Sequence, residues 1–251
     1  MVGSGGVRQG RAGASLIPDR ARDDRRSTLM RMGTTGRPRL AASLRHGDTA
    51  RDEILDAAAE LFTTEGYASV STRKIAESAG FRQASLYHYF GSKEDILTAL
   101  LGQTVDVALA LAERLKDGRE SAAVRLYALA LSDSEQLITS RWNLGALYLL
   151  PEVRAERFVA FQEKRTALRG CYEQLASAVA AEHGAPTGMR RLPFRLVESV
   201  IIERAEFAGA PGSGASPELI AEAALRMLGC ADGLEAIRGQ ALALLDAPPR
   251  G

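Results

Sequence analysis

Residues 71–93 read STRKIAESAGFRQASLYHYFGSK, a stretch with the form of a helix, a tight turn and a second helix. Ser71 can accept from the free N–H groups that open a helix, and Ile75, Ala76 and Ala79 then share one apolar face. Gly80 can take the left-handed conformation that ends such a helix. The spacing predicts a second helix from near Gln83 to Phe90. Leu86 and Phe90 would face inward, and Gln83, Ala84, Ser85, Tyr87 and His88 outward. Two crossed helices of this kind present the second as a protrusion that a major groove of roughly 12 Å admits. A hairpin that only packs would show the same pattern, so the flanks have to decide.

Upstream, residues 51–65 form an amphipathic pattern with Ile54, Leu55, Ala58, Leu61 and Phe62 on one side, stopped by Gly66. Downstream, Ser92-Lys93-Glu94-Asp95 is a capping sequence for a long helix through Ile96, Leu97, Leu100 and Leu101. Three segments then line up: Ala58 to Tyr67 (A-x-x-L-F-x-x-x-G-Y), Thr72 to Gly80 (T-x-x-x-I-A-x-x-A-G) and Leu86 to Leu97 (L-Y-x-x-F-x-x-K-x-x-L). Together they resemble the DNA-binding domain of TetR-type (TetR/AcrR) transcriptional regulators.

The resemblance implies roles for individual residues. Thr72 and Arg73 would touch a phosphate and a base edge, and an arginine can pair bidentately with guanine. Gln83, Ala84 and Ser85 would open the recognition helix in the groove, Gln83 suited to adenine and Ala84 to a thymine methyl. Tyr87, His88 and Tyr89 would meet phosphates, as would Lys93 at the start of the connecting helix. Three positions depart from the family pattern. Arg82 replaces a small capping residue, at about 1 kcal/mol of lost capping, and stands where it could contact DNA itself. Ala84 replaces a common glycine, and Tyr89 a frequent histidine.

The 251 residues carry a net charge of only +1, unevenly placed. Residues 1–50 hold ten Arg and four Asp, a charge of +6, which leaves 22 basic against 27 acidic residues, or −5, on the remainder. Residues 1–47, rich in Gly and without sustained periodicity, read as a disordered basic tail, either an arm that meets a polyanion or a solvated tail. Met30 and Met32 are alternative starts. With no apolar leader and no run of eighteen apolar residues, a cytoplasmic protein is expected. Cys171 and Cys230 form no disulfide framework, and His46, His88 and His183 lack ligand spacing, so neither metal nor cofactor is expected. No nucleophile–base pair or phosphate loop is evident, so an enzyme is not expected.

The fold expected is all-α: a three-helix DNA-binding domain at 48–95, then a helical ligand-binding and dimerisation domain at 96–251. Helical patterns run over 93–116, 119–139, 142–150, about 152–182, 193–208, 217–229 and 231–246. The 193–208 pattern is apolar on two sides, Phe194, Val197 and Ile201 on one and Leu196, Val200 and Phe207 on the other. One side calls for cover by the chain itself and the other by a second subunit. The resemblance likewise implies a homodimer through the late helices, 193–208 and 217–246.

Ligand residues vary too widely among the relatives to be carried over, so the candidates come from pattern alone. Arg165 lies in an apolar seam between Phe161 and Leu168, and Glu198 adjoins Val197. Arg165 would bind an acidic ligand group, pair with Glu198, or reach past the seam to solvent. Tyr127, Trp142, Tyr148, Phe158 and Tyr172 would line an apolar cavity, or simply fill the core. The resulting expectation is a repressor that binds a palindromic DNA operator as a homodimer and is released by a small-molecule effector. An activator or a ligand-independent regulator of the same fold is the alternative.

Overall fold

The computed structural model describes residues 47–206 and 214–247. The expected basic tail, except Gly47, lies outside the described residues, as do Phe207 and residues 208–213. Among the described residues all regular structure is helical.

Thr49 opens α1 (Ala50–Leu61) by accepting from the Asp52 N–H, and the helix buries Ile54, Leu55, Ala58 and Leu61 as its periodicity requires. The pattern predicts helix to residue 65, but from Phe62 to Gly66 the coil widens into a π turn. There the hydroxyls of Thr63 and Thr64 return to the carbonyls of Ala59 and Glu60, a competition that loosens helices. Ser71 caps α2 (Thr72–Ser78) through the Lys74 N–H. Gly80, at φ +76°, reverses the chain, and the Phe81 N–H closes on the Ala76 carbonyl at 2.8 Å.

The α-helix α3 covers only Gln83–Leu86, shorter than the expected 83–90. Arg82 offers it no side-chain cap, and its continuation is a series of turns, with Tyr89 and Phe90 bonded to the Leu86 carbonyl. Leu86 and Phe90 are nonetheless both buried. Ser92 then caps α4 (Lys93–Lys116), whose first turns belong to the head and whose last turns belong to the body. By length and composition α4 could cross a membrane, but its buried residues, including Leu100, Leu101, Val105 and Ala108, make it a core helix of this fold.

In the body, α5 (Ala122–Thr139) is central and is packed by α4, α6 (Val159–His183), α7 (Leu192–Glu206), α8 (Pro217–Met227) and α9 (Leu234–Asp246). Ser121 caps α5, which therefore starts three residues later than the apolar pattern alone predicts. The short helix expected at 142–150 is a run of 3-10 turns, Leu144–Leu149, Pro151–Arg154 and Glu156–Phe158. Pro151 interrupts the ladder, and no side chain caps any of the three. Gly145 lies so close to α7 that a Cβ there would stand 2.5 Å from Ile201.

On α7 the chain itself buries Phe194, Val197, Val200 and Ile201. Val200 thus joins the inner face, contrary to the pattern reading, since α7 is packed by α5, α6 and α8. The apolar surface left outside is half-buried Leu196 and Ile202, which is 54% exposed.

Candidate nucleic-acid interface

The turn at Gly80 brings the start of α2 against α3. The Thr72 hydroxyl lies 3.1 Å from the Tyr87 hydroxyl, and Gln83 Nε2 donates to Thr72 Oγ1 at 3.2 Å. Thr72 thus forms one exposed polar cluster with two residues 11 and 15 positions further along the chain. Arg73 stands beside it, its Nε donating to Glu77 at 2.8 Å across one helical turn. Both partners are well exposed, so this pair is weak and easily exchanged for another acceptor. Arg82, Gln83, Ala84, His88 and Tyr89 are all exposed and Ser85 is half-buried, while the Tyr89 ring rests 6.5 Å from that of Phe81. The surface offers hydroxyl, amide, methyl, guanidinium and imidazole groups, a set able to bond phosphates and read base edges.

Lys93 is turned differently from its expected phosphate role. Its ammonium donates to the carbonyls of Tyr67 at 2.8 Å and Val70 at 2.9 Å, and lies 4.0 Å from the centre of the Tyr67 ring. The lysine ties the turn before α2 to the start of α4, which leaves chiefly the helix end for a phosphate. Lys74 makes a further tie to Glu65 in the π turn. Burial and the neighbouring Glu94 carboxylate push the Tyr67 phenol up to about 12, so it stays neutral.

The model for bacterial regulatory proteins of the tetR family matches residues 54–100. Over its body as well as its head, the chain is similar to the crystal structure of AmtR from Mycobacterium smegmatis. The two are 52% identical with a TM-score of 0.78, over 83% of this chain and 100% of that one. The chain belongs to the TetR family. It is also 33% identical over 87 residues to the HTH-type transcriptional repressor KstR2 of Mycolicibacterium smegmatis, a match covering 35% of this chain and 42% of that protein. A third similarity is to the fatty acid metabolism regulator protein of Bacillus subtilis, 31% over 122 residues, or 47% of this chain and 60% of that protein. The matches thus span less than two thirds of these curated relatives.

In this TetR-family chain polar contacts among the described residues fasten the head to the body at α1 and at α4. Asp56 of α1 accepts from Trp142 Nε1 at 2.9 Å and from Arg141 Nη1, which donates to its two carboxylate oxygens at 3.1 and 3.2 Å. Glu94 on α4 pairs with Arg157 at 3.3 Å. Trp142, expected beside a ligand, is therefore occupied by the head, and Asp56 is a functional candidate that pattern reading missed.

The other ligand candidates separate into groups. Arg165 donates to Glu198 and lies 5.6 Å and 5.5 Å from the centres of the Tyr148 and Phe194 rings. The Tyr148 hydroxyl bonds Thr104, and the Tyr172 hydroxyl donates to Asp133 at 2.9 Å with its ring 5.4 Å from Phe194. Tyr148, Arg165, Tyr172 and Glu198 thus share one seam. Tyr127 is buried on α5, where the charged groups nearest it belong to α8 and α9, and its hydroxyl has no partner among the described residues. Phe158 is buried at the foot of α6.

Asp133, Thr104 and Phe194 are among the seam residues that the pattern reading omitted. A signal existed for Asp133: an acidic residue four positions from both Leu129 and Leu137, on the inward face of α5. Burial pushes its carboxyl up to about 7, opposed by the Tyr172 hydroxyl and reinforced by Glu198. The seam encloses only about 20 Å³, room for a single water.

Proposed function

We propose that the chain is a transcriptional repressor that binds a partly palindromic operator as a homodimer and is released when a small molecule binds its helical body. The observation that carries this reading is the exposed Thr72–Gln83–Tyr87 cluster with Arg73 beside it, spanning the start of α2 and the short helix α3, which is anchored by a buried Leu86. Groove insertion needs side chains of this kind fixed on a rigid support. By analogy with the relatives named as repressors, binding shuts off transcription in the cytoplasm.

A dimer would place two such helices roughly 34–36 Å apart, one turn of DNA. Ile202, with Leu196, on α7 and the exposed Leu219 and Leu242 on α8 and α9 supply apolar surface for a second subunit. For release through the seam, a ligand would have to open it, since effector cavities are usually some hundreds of Å³. The contact to break would be that of Arg165 with Glu198 and its two aromatic neighbours.

A contiguous set of contacts supports passage of that change to the head. Arg204 of α7 donates to Ser140 Oγ at 2.8 Å and to its carbonyl at 2.7 Å, closing the end of α5. Asn143 donates to the Ile201 carbonyl at 2.8 Å, and the adjoining Trp142 reaches Asp56. Ligand binding would shift the operator equilibrium only by its preference for the displaced arrangement.

The test is binding of the full chain to duplex DNA from upstream of its own gene, across salt concentration. Saturable dimeric binding to one short palindrome supports the reading. Weak, sequence-blind binding to every duplex tried would defeat it. Repeating the titration without residues 1–47 tests the basic tail as a phosphate-contacting arm, which would appear as a shallower salt slope.

A further inference from the structure

An open cleft of about 460 Å³ lies between α6 and the start of α7, sharing no lining residue with the seam. Thr166, Arg169, Gly170 and Glu173 line it from one face of α6, and Arg191 and Arg195 line it from the other side. Arg190, at its margin, reaches toward Glu173.

The charges in this cleft do not cancel. Its arginines, with Arg165 behind them, set five guanidinium groups against the carboxylates of Glu173 and Glu198. Glu173 stands 3.9 Å from both Arg169 and Arg190, well beyond the 2.7–2.9 Å of a charge-assisted hydrogen bond. The Arg191 side chain has no hydrogen bond or ion pair among the described residues. Glu198 is already shared between Arg165 and Arg195.

We propose that this cleft binds the phosphate group of a small phosphorylated molecule or of free phosphate. Several guanidinium groups facing one space are best satisfied by an ion with more than one charge and three or more acceptor oxygens. Thr166 adds a hydroxyl donor at the edge. Gly170 leaves the floor bare, since nothing lies within 4 Å of where its Cβ would be, and an anion can approach the α6 backbone there. The site bears on the seam as well. An anion that draws Arg195 from Glu198 leaves that carboxylate to Arg165 alone and tightens the contact holding the seam closed.

The test is calorimetric titration of the full-length protein with inorganic pyrophosphate, orthophosphate and AMP at one ionic strength set with potassium chloride. Saturable binding at one site per chain is expected. Arg191→Ala combined with Arg195→Ala should weaken it at least about tenfold. Gly170→Asp, which places a carboxylate on the open floor without a clash, should abolish it, while Arg226→Ala on α8 should leave it intact. AMP binding more tightly than orthophosphate would identify an organic phosphate as the ligand, and equal affinities would identify free phosphate. Heats that do not saturate for any of the three probes, or that persist unchanged in Gly170→Asp, would overturn the proposal and leave the arginines as a solvated face. Because these readings are of anion binding itself, they stand or fall independently of operator binding.

Discussion

Trp142 Nε1 donates to the Asp56 carboxylate at 2.9 Å, so the body of the protein holds α1 of the DNA-binding head by a hydrogen bond between residues 86 positions apart. The carboxylate is nearly enclosed, with its side chain 10% exposed, and Arg141 stacks 4.8 Å from the Trp142 ring while bonding the same oxygens. An acceptor in that position has no adequate substitute from solvent. Asp56→Ala should therefore destabilise the protein by about 1–3 kcal/mol in denaturant unfolding. Trp142 is the chain's single tryptophan, so its emission should also shift in this variant and on operator binding. Emission indifferent to both would mean that the junction does not respond to the head.

The polar cluster on the recognition surface makes separable demands. Tyr87→Ala should weaken binding to all duplexes by about tenfold, while Tyr87→Phe, which keeps the ring but loses the contact with Thr72, should fall between it and the parent. Arg73→Ala should both weaken binding and relax preference at one base position. Operator affinities equal to the parent's for Tyr87→Ala and Arg73→Ala, at matched salt, would refute the groove assignment.

Lys93 serves the fold through two carbonyls and an aromatic face. Lys93→Ala should lower stability by about 1–3 kcal/mol. The salt dependence of operator affinity should barely change, since the ammonium is engaged within the protein. A slope reduced by about one unit would instead make Lys93 a phosphate ligand.

Asp133 should give the protein a pH-dependent stability. An unfolded aspartate titrates near 3.9, whereas burial pushes this one up to about 7. Between those values the folded state holds a proton that the unfolded chain has released. Its stabilising contribution is complete below about 4 and is lost as pH rises toward 7, by up to about 1.4 kcal/mol per unit. Below 7 the carboxyl can donate to Tyr172, whose own proton can turn to the Leu129 carbonyl, 3.3 Å away. Unfolding free energies of Asp133→Asn should be flatter across this window, and an unchanged slope would assign the dependence to another group.

Local signals in this chain were strong wherever one turn of backbone settled the outcome. Ser71 and Ser92 cap their helices as their positions suggest, and Gly80 takes the positive φ that its place before Phe81 requires. The inward faces of the head follow from spacing alone, because 3.6 residues per turn puts Ile75 with Ala79 and Leu86 with Phe90. Length was less legible. Residues 62–66 and 87–89 carry helical patterns, but threonine back-bonding and the missing cap at Arg82 change how the backbone coils.

The sequence by itself determined the helical class, the helix-turn-helix and the residues that face outward from it, since these depend on caps, turns and periodicity within a few residues. Only the tertiary structure decided which side chains share a site. It gave Trp142 to Asp56 rather than to the seam, turned Lys93 inward, separated Tyr127 from Tyr148, and brought Asp133 to Tyr172. A side chain's partner depends on how helices far apart in sequence pack around α5, and no local pattern encodes that arrangement.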